Sequence, residues 1–542
     1  MEREILKDSS ALSSVMPRVL ISDPISDEGV NRLENEGYTV NIRTDLSNDK
    51  LKAEIGGYDA IVVRSGTEMT EEVISEADNL KIIGRAGVGV DNIDINAATQ
   101  KGVVVANAPQ GNTVAASEHA VSLLLSAARN IPTANEALKE GEWLKSENVG
   151  VEIKDKTLGV FGLGRIGGEV AKRGKSLGMK VKAFDPFVSE TRAADLGAEL
   201  CDMNEVLEES DFISVHTPLN EETRHLISTS EFEIMKNNAI LAHASRGGVV
   251  DEEAAAEAVK SGQIAKAAFD VFENEPPEKD NPLLDVEDVI VTPHLGASTE
   301  EAQLNVASTI ADQVIDVLEG GVASTALNVP TVDAEEMERL QPYMDLAETI
   351  GRITVQISQS NVNDVEIEYS GEIAKKDVSP ISIAAQQGFL EPILDDPVNF
   401  VNAESMMEAR GVKIKETKTE YSEDFVSLIT VRVDGPEGPT EVAGTLFGKS
   451  DPTIVNINGY RVDAQPTKNM LIVHNVDKPG MVGKVGSLLG EFEVNIAGMH
   501  NGRETVGGEA IMVLNVDGKV SEEARDRILE VDGIKGAEYV SV

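Results

Sequence analysis

Gly162-Leu-Gly164-Arg-Ile-Gly167 directly follows the apolar run TLGVF and opens a helical pattern, and Asp185 closes the next apolar strand, 18 residues beyond Gly167. Few arrangements constrain a chain more. Glycines at this spacing permit a tight turn, close approach of the backbone to a ligand, and close packing of helix on strand. The helix N-terminus then aims unpaired N–H groups at an anion such as a pyrophosphate. The expected local geometry is that of a doubly wound, dinucleotide-binding parallel sheet, with Arg165 and Ile166 inside the contact. A carboxylate at Asp185 accepts from adenosine ribose hydroxyls and repels a 2′-phosphate. Pro186 and Phe187 follow it, with no arginine to hold that phosphate, so NAD is expected in preference to NADP.

The rest of the chain fits that architecture. At 542 residues it is too long for one core and suggests about three or four domains. Residues 1–17 show no period and are expected to form a loose extension. From Arg18 the strands RVLISD, YTVNIR, YDAIVVRSG, KIIGRAG and GVVVANAP alternate with helical patterns. A longer helix is expected over Ser117–Asn130, followed by a polar stretch holding the only tryptophan, Trp143. A second alternating run, from Thr157 to about Thr292, reads TLGVFG, MKVKAFD, DFISVHTP, AILAHAS, AAFDVF and DVIVTPH. Apolar strands separated by helices imply parallel sheets covered on both faces. A helix after Ser298 ends near Gly320–Gly321, and VASTALNVP reads as a linker. Beyond Pro330 short strands and glycine turns are expected up to about Gln465, and the last 75 or so residues carry a βαββαβ pattern.

Composition excludes several classes. No apolar run is long enough to span a bilayer, and the charged start MEREILKDSS lacks a signal-peptide core, so a cytoplasmic protein is expected. The single cysteine, Cys201, excludes a disulfide framework within the chain. Ninety-four acidic against 48 basic residues leave a formal charge of −46. Such a polyanion repels nucleic acid and anionic membrane. It reads either as a well-solvated surface or as one adapted to a salty cytoplasm, where counterions screen its self-repulsion.

The residues with chemistry lie just past strand ends, where ligands bind in open α/β sheets. His216-Thr217-Pro218 follows DFISV, Arg246 follows AILAHAS, Glu275 follows AAFDVFEN, and His294 follows DVIVTP. Oxidising an alcohol by hydride transfer needs a base for the hydroxyl proton and a cation for the carboxylate and developing carbonyl. A histidine with a carboxylate partner supplies the first, and an arginine fork supplies the second. Of the seven histidines, His294 is the best placed. In the first run, Arg64 and Arg85 sit at neighbouring strand ends and Asn112 precedes the long helix. Two arginines so placed could bind a dianionic phosphate.

SRGGVVDE, AAFDVFENEPP, TPHLGAST, GLGRIG and HTPLNEETRHLI resemble the signatures of the D-isomer-specific 2-hydroxyacid dehydrogenases, and the layout over residues 18–542 is similar to the family's long members. The resemblance implies oxidation of 3-phospho-D-glycerate by NAD, the entry to L-serine synthesis. It makes His294 the base, Glu275 its partner, and Arg246 the carboxylate and carbonyl anchor. It adds Ala244, Ser245, Asp270, His294 and Gly296 to the cofactor contacts and Gly87 to Arg64, Arg85 and Asn112 at the substrate; no metal is implied. His243 stands where many relatives have asparagine, and no role is assigned to it. The implied units are a discontinuous substrate-binding domain (18–116 and 297–328), an NAD-binding Rossmann domain (117–296), an α+β intervening domain (331–465) and a ferredoxin-like ACT domain (468–542). The long helix is similar to the family's dimer-forming element, so a homodimer or homotetramer is expected. In the ACT domain Pro479-Gly480 opens the helix, and Asn475, Asp477 and Asn495 fall where relatives bind serine across a dimer, which makes L-serine the expected effector. Of the basic residues that bind anions in some relatives' intervening domains, only Arg461 is an obvious counterpart. The competing readings are a glyoxylate or hydroxypyruvate reductase, whose members usually stop near residue 330, and a corepressor-like NADH sensor.

Overall fold

The computed structural model describes residues 16–542 except 331–333, 359–361, 396, 423, 436–437 and 449; the expected extension before Met16 lies outside the described residues. Among the described residues the strands form four sheets. The first is parallel, in the order Thr39–Ile42, Arg18–Ile21, Ala60–Val63, Ile82–Arg85, Val104–Asn107. Its strands are almost wholly apolar because helices cover both faces. One cover is the helix Glu300–Leu318, which comes back from far along the chain and buries Val306, Ile310 and Val314 against Val62, Ile82 and Ala106. Asn328 then fastens the returning segment, its Oδ1 accepting from Val105 N at 2.9 Å.

The second sheet is also parallel, in the order Val289–Val291, Lys266–Phe269, Ile240–His243, Phe212–Val215, Thr157–Phe161, Lys180–Phe184, Glu199–Leu200. The strand order reverses beside Thr157–Phe161, which places the glycine turn at the switch point of the sheet. The helix linking the two sheets runs Thr113–Ala128, with Asn112 as its N-cap. It starts four residues before the expected Ser117, and that earlier start brings Asn112 to the helix mouth.

Beyond Pro330 the expectation of strands and glycine turns misses three helices, Ala334–Ile357, Ser379–Leu390 and Ala403–Ala409. The first contains Pro342 and presents apolar residues to more than one neighbour, which blurs the single stripe by which an amphipathic helix is read. These helices cover a mixed sheet ordered Lys413–Thr419, Asp364–Gly371, Ser427–Gly435, Gly438–Phe447, Asp451–Ile457, Tyr460–Ala464.

The last sheet is antiparallel, Ile496–Arg503, Glu509–Val516, Asn469–Val476, Ile534–Ser541, and both expected helices, Met481–Glu491 and Glu522–Leu529, are present. Their buried residues Val485, Leu489 and Ile528 pack with Leu471, Val473 and Leu514. The alternate residues Met470, Ile472, Ile511, Val513 and Val540 join Leu346, Ile350 and Ile353 in the core of the preceding domain. Gln356 and Ser541 seal this seam with two hydrogen bonds, each 3.0 Å, between the amide side chain and the strand backbone. No helix among the described residues is long and apolar enough to cross a membrane.

Candidate active site

The glycine turn is built for close approach. Gly162 has φ 88°, a left-handed conformation, and a Cβ there would stand 2.8 Å from the His216 carbonyl oxygen. A Cβ on Gly167 would overlap the Gly162 carbonyl oxygen, whereas one on Gly164 would meet nothing within 4 Å. Gly164 therefore fronts open space at the mouth of the helix Arg165–Ser176, as its N-cap and without a side-chain cap. Free N–H groups facing space at a helix N-terminus form an anion cradle. The Thr217 methyl group packs beside Gly162, and its hydroxyl is buried without a partner among the described residues. These residues fit a dinucleotide pyrophosphate. Asp185 accepts from Leu163 N at 2.7 Å and Phe187 N at 2.9 Å, so its carboxylate both shapes the turn and stands at the strand end. Arg165 reaches across to the Pro109 carbonyl at 3.4 Å. His216 turns inward, with Nε2 2.8 Å from the Ser214 hydroxyl; burial and the nearby His243 push its pKa down to about 3, which keeps the ring neutral.

A cleft of about 740 Å³ runs between the two α/β units and is lined by Arg64, Arg85, Gly87, Asn112, Arg246, Glu275 and His294 among others. His294 Nδ1 is 2.7 Å from Glu275 Oε2. Burial raises the Glu275 carboxyl, but the hydrogen bond and charge of His294 and the Phe272 N–H outweigh it and hold the group below the usual carboxylate range. With Nδ1 engaged by a carboxylate, Nε2 is the ring nitrogen left for proton transfer. His294 has φ 51°, unusual outside glycine, in a turn fixed by Asp270. Asp270 is 1% exposed and its carboxylate accepts from Thr292 Oγ1 (2.6 Å), Leu295 N (2.8 Å) and Gly296 N (2.9 Å).

Arg246 donates from Nη1 to the Ser245 carbonyl at 2.7 Å and from Nε to Asp91 at 3.1 Å. The Asp91 bond crosses the cleft, because Asp91 belongs to the first α/β unit. His243 lies beneath, its Nε2–H donating to the Arg246 carbonyl at 2.8 Å and its ring edge-on to Phe269. Burial pushes its pKa down to about 4 against that backbone bond, so the residue left without a role is a neutral support under the arginine loop. Ala244 and Ser245 connect the two.

Arg85 is the most perturbed cation in the cleft. Burial first, then the charges of Arg64 and Arg246, lower its pKa to about 10, with Asp23 and Asp91 opposing. Its Nε and the Asn112 Oδ1 are buried without partners among the described residues. Arg64 is fixed through its backbone, its N–H donating to Asp23 at 2.6 Å and its Nη1 to the Pro24 carbonyl at 3.3 Å. Three guanidinium groups sharing a partly buried space is an arrangement that an incoming polyanion relieves. Sequence reading missed Asp23, Asp91 and His119. Asp91 stands in the same GVGVDN segment as the substrate-side glycines, a signal passed over; Asp23 and His119 carried none.

In the last domain Asn475 is buried, with Nδ2 on the Val476 carbonyl at 2.9 Å and Oδ1 without a partner among the described residues. Asp477 accepts from Arg503 (2.9 Å) and Gly507 N (3.1 Å), and Asn495 donates to Asp517 at 2.6 Å. The first two lie at the Ala510 end of the sheet and Asn495 at the Val516 end, roughly 20 Å apart at ~3.3 Å per residue. One chain does not bring the three together. Arg461 is exposed and paired with Asp424 at 3.2 Å.

Three family models match parts of the chain. Residues 121–296 match the D-isomer specific 2-hydroxyacid dehydrogenase NAD binding domain, 339–458 the D-3-phosphoglycerate dehydrogenase intervening domain, and 469–533 the ACT domain. D-3-phosphoglycerate dehydrogenase of Archaeoglobus fulgidus is 44% identical over 97% of this chain and all of that protein; the Methanocaldococcus jannaschii enzyme is 42% identical over the same shares. Among solved structures, D-lactate dehydrogenase from Aquifex aeolicus, complexed with NAD and lactic acid, matches 58% of this chain and all of its own (TM-score 0.52, 27% identity). A glyoxylate reductase from Paecilomyes thermophila likewise matches 58% of this chain and 99% of its own (TM-score 0.54, 29% identity).

Proposed function

The chain belongs to the D-3-phosphoglycerate dehydrogenases within the D-isomer-specific 2-hydroxyacid dehydrogenase family, and on that premise we propose that it oxidises 3-phospho-D-glycerate to 3-phosphohydroxypyruvate with NAD, the first step of L-serine synthesis. The observation that carries this reading is one cleft holding both the His294–Glu275 pair and the Arg64–Arg85–Arg246 cluster. NAD supplies the hydride acceptor when bound at the glycine turn, with Asp185 at its ribose. His294 Nε2 takes the hydroxyl proton while Glu275, ionised through the working range, orients the ring and stabilises the imidazolium. Arg246 grips the carboxylate and polarises the carbonyl as it forms, and Gly87 lets the Arg85 side chain fold close to the backbone. Arg64 and Arg85, with Asn112, meet the phosphate. An absorbance assay at the NADH band with phosphohydroxypyruvate, hydroxypyruvate and glyoxylate tests it. Equal or better turnover of the unphosphorylated acids would replace this reading with a reductase, and NADH binding without turnover would point to a sensor.

The C-terminal domain is proposed to bind L-serine between two copies of the chain. Ile496–Arg503 is an edge strand; two such edges meeting antiparallel about a twofold axis would carry the Asn495 of one copy to the Asp477 of the other. A second contact between copies is expected on the connecting-helix side, where Ile131, Leu138, Trp143 and Val149 are all more than half exposed. Calorimetric titration of L-serine, with glycine and alanine as controls, checks the effector: no heat at millimolar serine would leave the domain an assembly element. A cytoplasmic location is proposed with it.

A further inference from the structure

His119 is the one histidine near the reacting centre that nothing above uses. It stands on the helix Thr113–Ala128, outside the cleft, with 19% of its side chain exposed. Its Nε2 lies 3.0 Å from Asp270 Oδ1 and 3.3 Å from Thr292 Oγ1. Thr292 already gives its hydroxyl proton to the same Asp270 oxygen, so Nε2–H of His119 is a further donor to that carboxylate. Asp270 then accepts four bonds, from a helix side chain, a loop side chain and the backbone of Leu295 and Gly296. Its own carbonyl takes the His294 N–H at 2.8 Å. Several of the bonds that hold the left-handed turn at His294 thus converge on Asp270, and His119 links that carboxylate to a different element. A buried carboxylate is stable only where donors satisfy it. Three of the four donors belong to the turn itself and move with it; only His119 anchors the carboxylate from outside.

We propose that His119 is a positioning residue for hydride transfer: through Asp270 it fixes the turn that aims His294 at the substrate hydroxyl. This rests on the reading of His294 as the base. The alternative is that His119 only fills space between helix and sheet. The two separate cleanly, because an apolar side chain of similar size fills the space and an amide restores the donor. Glutamine places Nε2 at about the reach of the histidine Nε2, whereas asparagine stops short of it.

The full-length holoenzyme is assayed as H119L, H119Q and H119N, with H294A as reference, by kcat and KM in both directions, NADH binding by fluorescence, and thermal melting. H119L is expected to bind NADH and keep its KM while kcat falls roughly 10- to 100-fold, the scale on which small misplacements of a reacting group register. H119Q should recover most of kcat and H119N should not. Wild-type kcat in H119L, a changed KM with kcat intact, or H119Q no better than H119L would each overturn the proposal. If H119L fails to fold, H119Q against H119N decides, and equality overturns it. Near-normal turnover in H294A would instead remove the base assignment, an outcome distinct from all of these.

Discussion

Replacing Arg85 by methionine should make the enzyme treat phosphorylated and unphosphorylated substrates more nearly alike. Methionine keeps the apolar stem and removes the charge, so packing against the first sheet is disturbed little. In the wild-type cleft one Nη1 hydrogen goes to the Ala86 carbonyl at 3.1 Å, while Nε is buried without a partner among the described residues. The fork therefore has donors to spare, held in a place where burial and two like charges already disfavour the cation. A phosphate dianion taking two of them gains charge-assisted bonds of about 1.5–3 kcal/mol each. The lower end applies, because deleting Arg85 also relieves its repulsion of Arg64 and Arg246 in the empty cleft. Two bonds at that end come to about 3 kcal/mol, and at ~1.4 kcal/mol per factor of ten this is roughly 150-fold. The assay is kcat/KM for reduction of 3-phosphohydroxypyruvate and of hydroxypyruvate, followed at the NADH band. The first should fall by about two orders of magnitude and the second change little. Equal losses on both would refute the phosphate-site argument, since a merely structural arginine would injure both reactions alike.

His294→Ala should lower kcat roughly 10²- to 10⁴-fold with NADH binding intact, whereas Arg246→Ala should raise KM and lower kcat together, as expected of a clamp acting in ground and transition states; stopped-flow binding beside steady-state rates separates the two. Asp185→Ser should weaken NAD and improve NADP, because the carboxylate no longer opposes a 2′-phosphate; a wild-type preference for NADP would overturn the cofactor reading. The charge of −46 should make the melting temperature rise from dilute buffer to molar KCl, where the Debye length shrinks to about 3 Å; a flat profile would leave only an ordinary solvated surface.

What could be read from the sequence was what is local. The glycine turn, the strands that flank it and the strand-end positions of Arg246, Glu275 and His294 all depend on residues within one turn of chain, and patterning exposes them. The helix Ala334–Ile357 was hidden because it is buried on several sides and carries a proline, so neither period nor boundary stood out. Asp91 on Arg246 and His119 on Asp270 are contacts between elements far apart in sequence, and a single sequence does not record which distant side chains meet. The residues proposed to bind serine are a different case. The resemblance implied a site across a dimer, and strand register puts Asn495 at the end of the sheet away from Asn475 and Asp477.

The seam between the last sheet and the middle domain bears on how such an enzyme can be shortened. Met470, Ile472, Ile511, Val513 and Val540 are essentially fully buried against residues that precede them in the chain. At about 1.5–3 kcal/mol for each such side chain, the seam contributes on the order of 10 kcal/mol, comparable to the entire stability of an ordinary domain. A stop codon introduced near Gln465 to remove the last domain would not yield a trimmed enzyme. It would lay bare the faces of Leu346, Ile350 and Ile353, and the product would aggregate or be degraded. The proposed serine site is better probed by point changes around Asp477, where nothing in the shared core is touched.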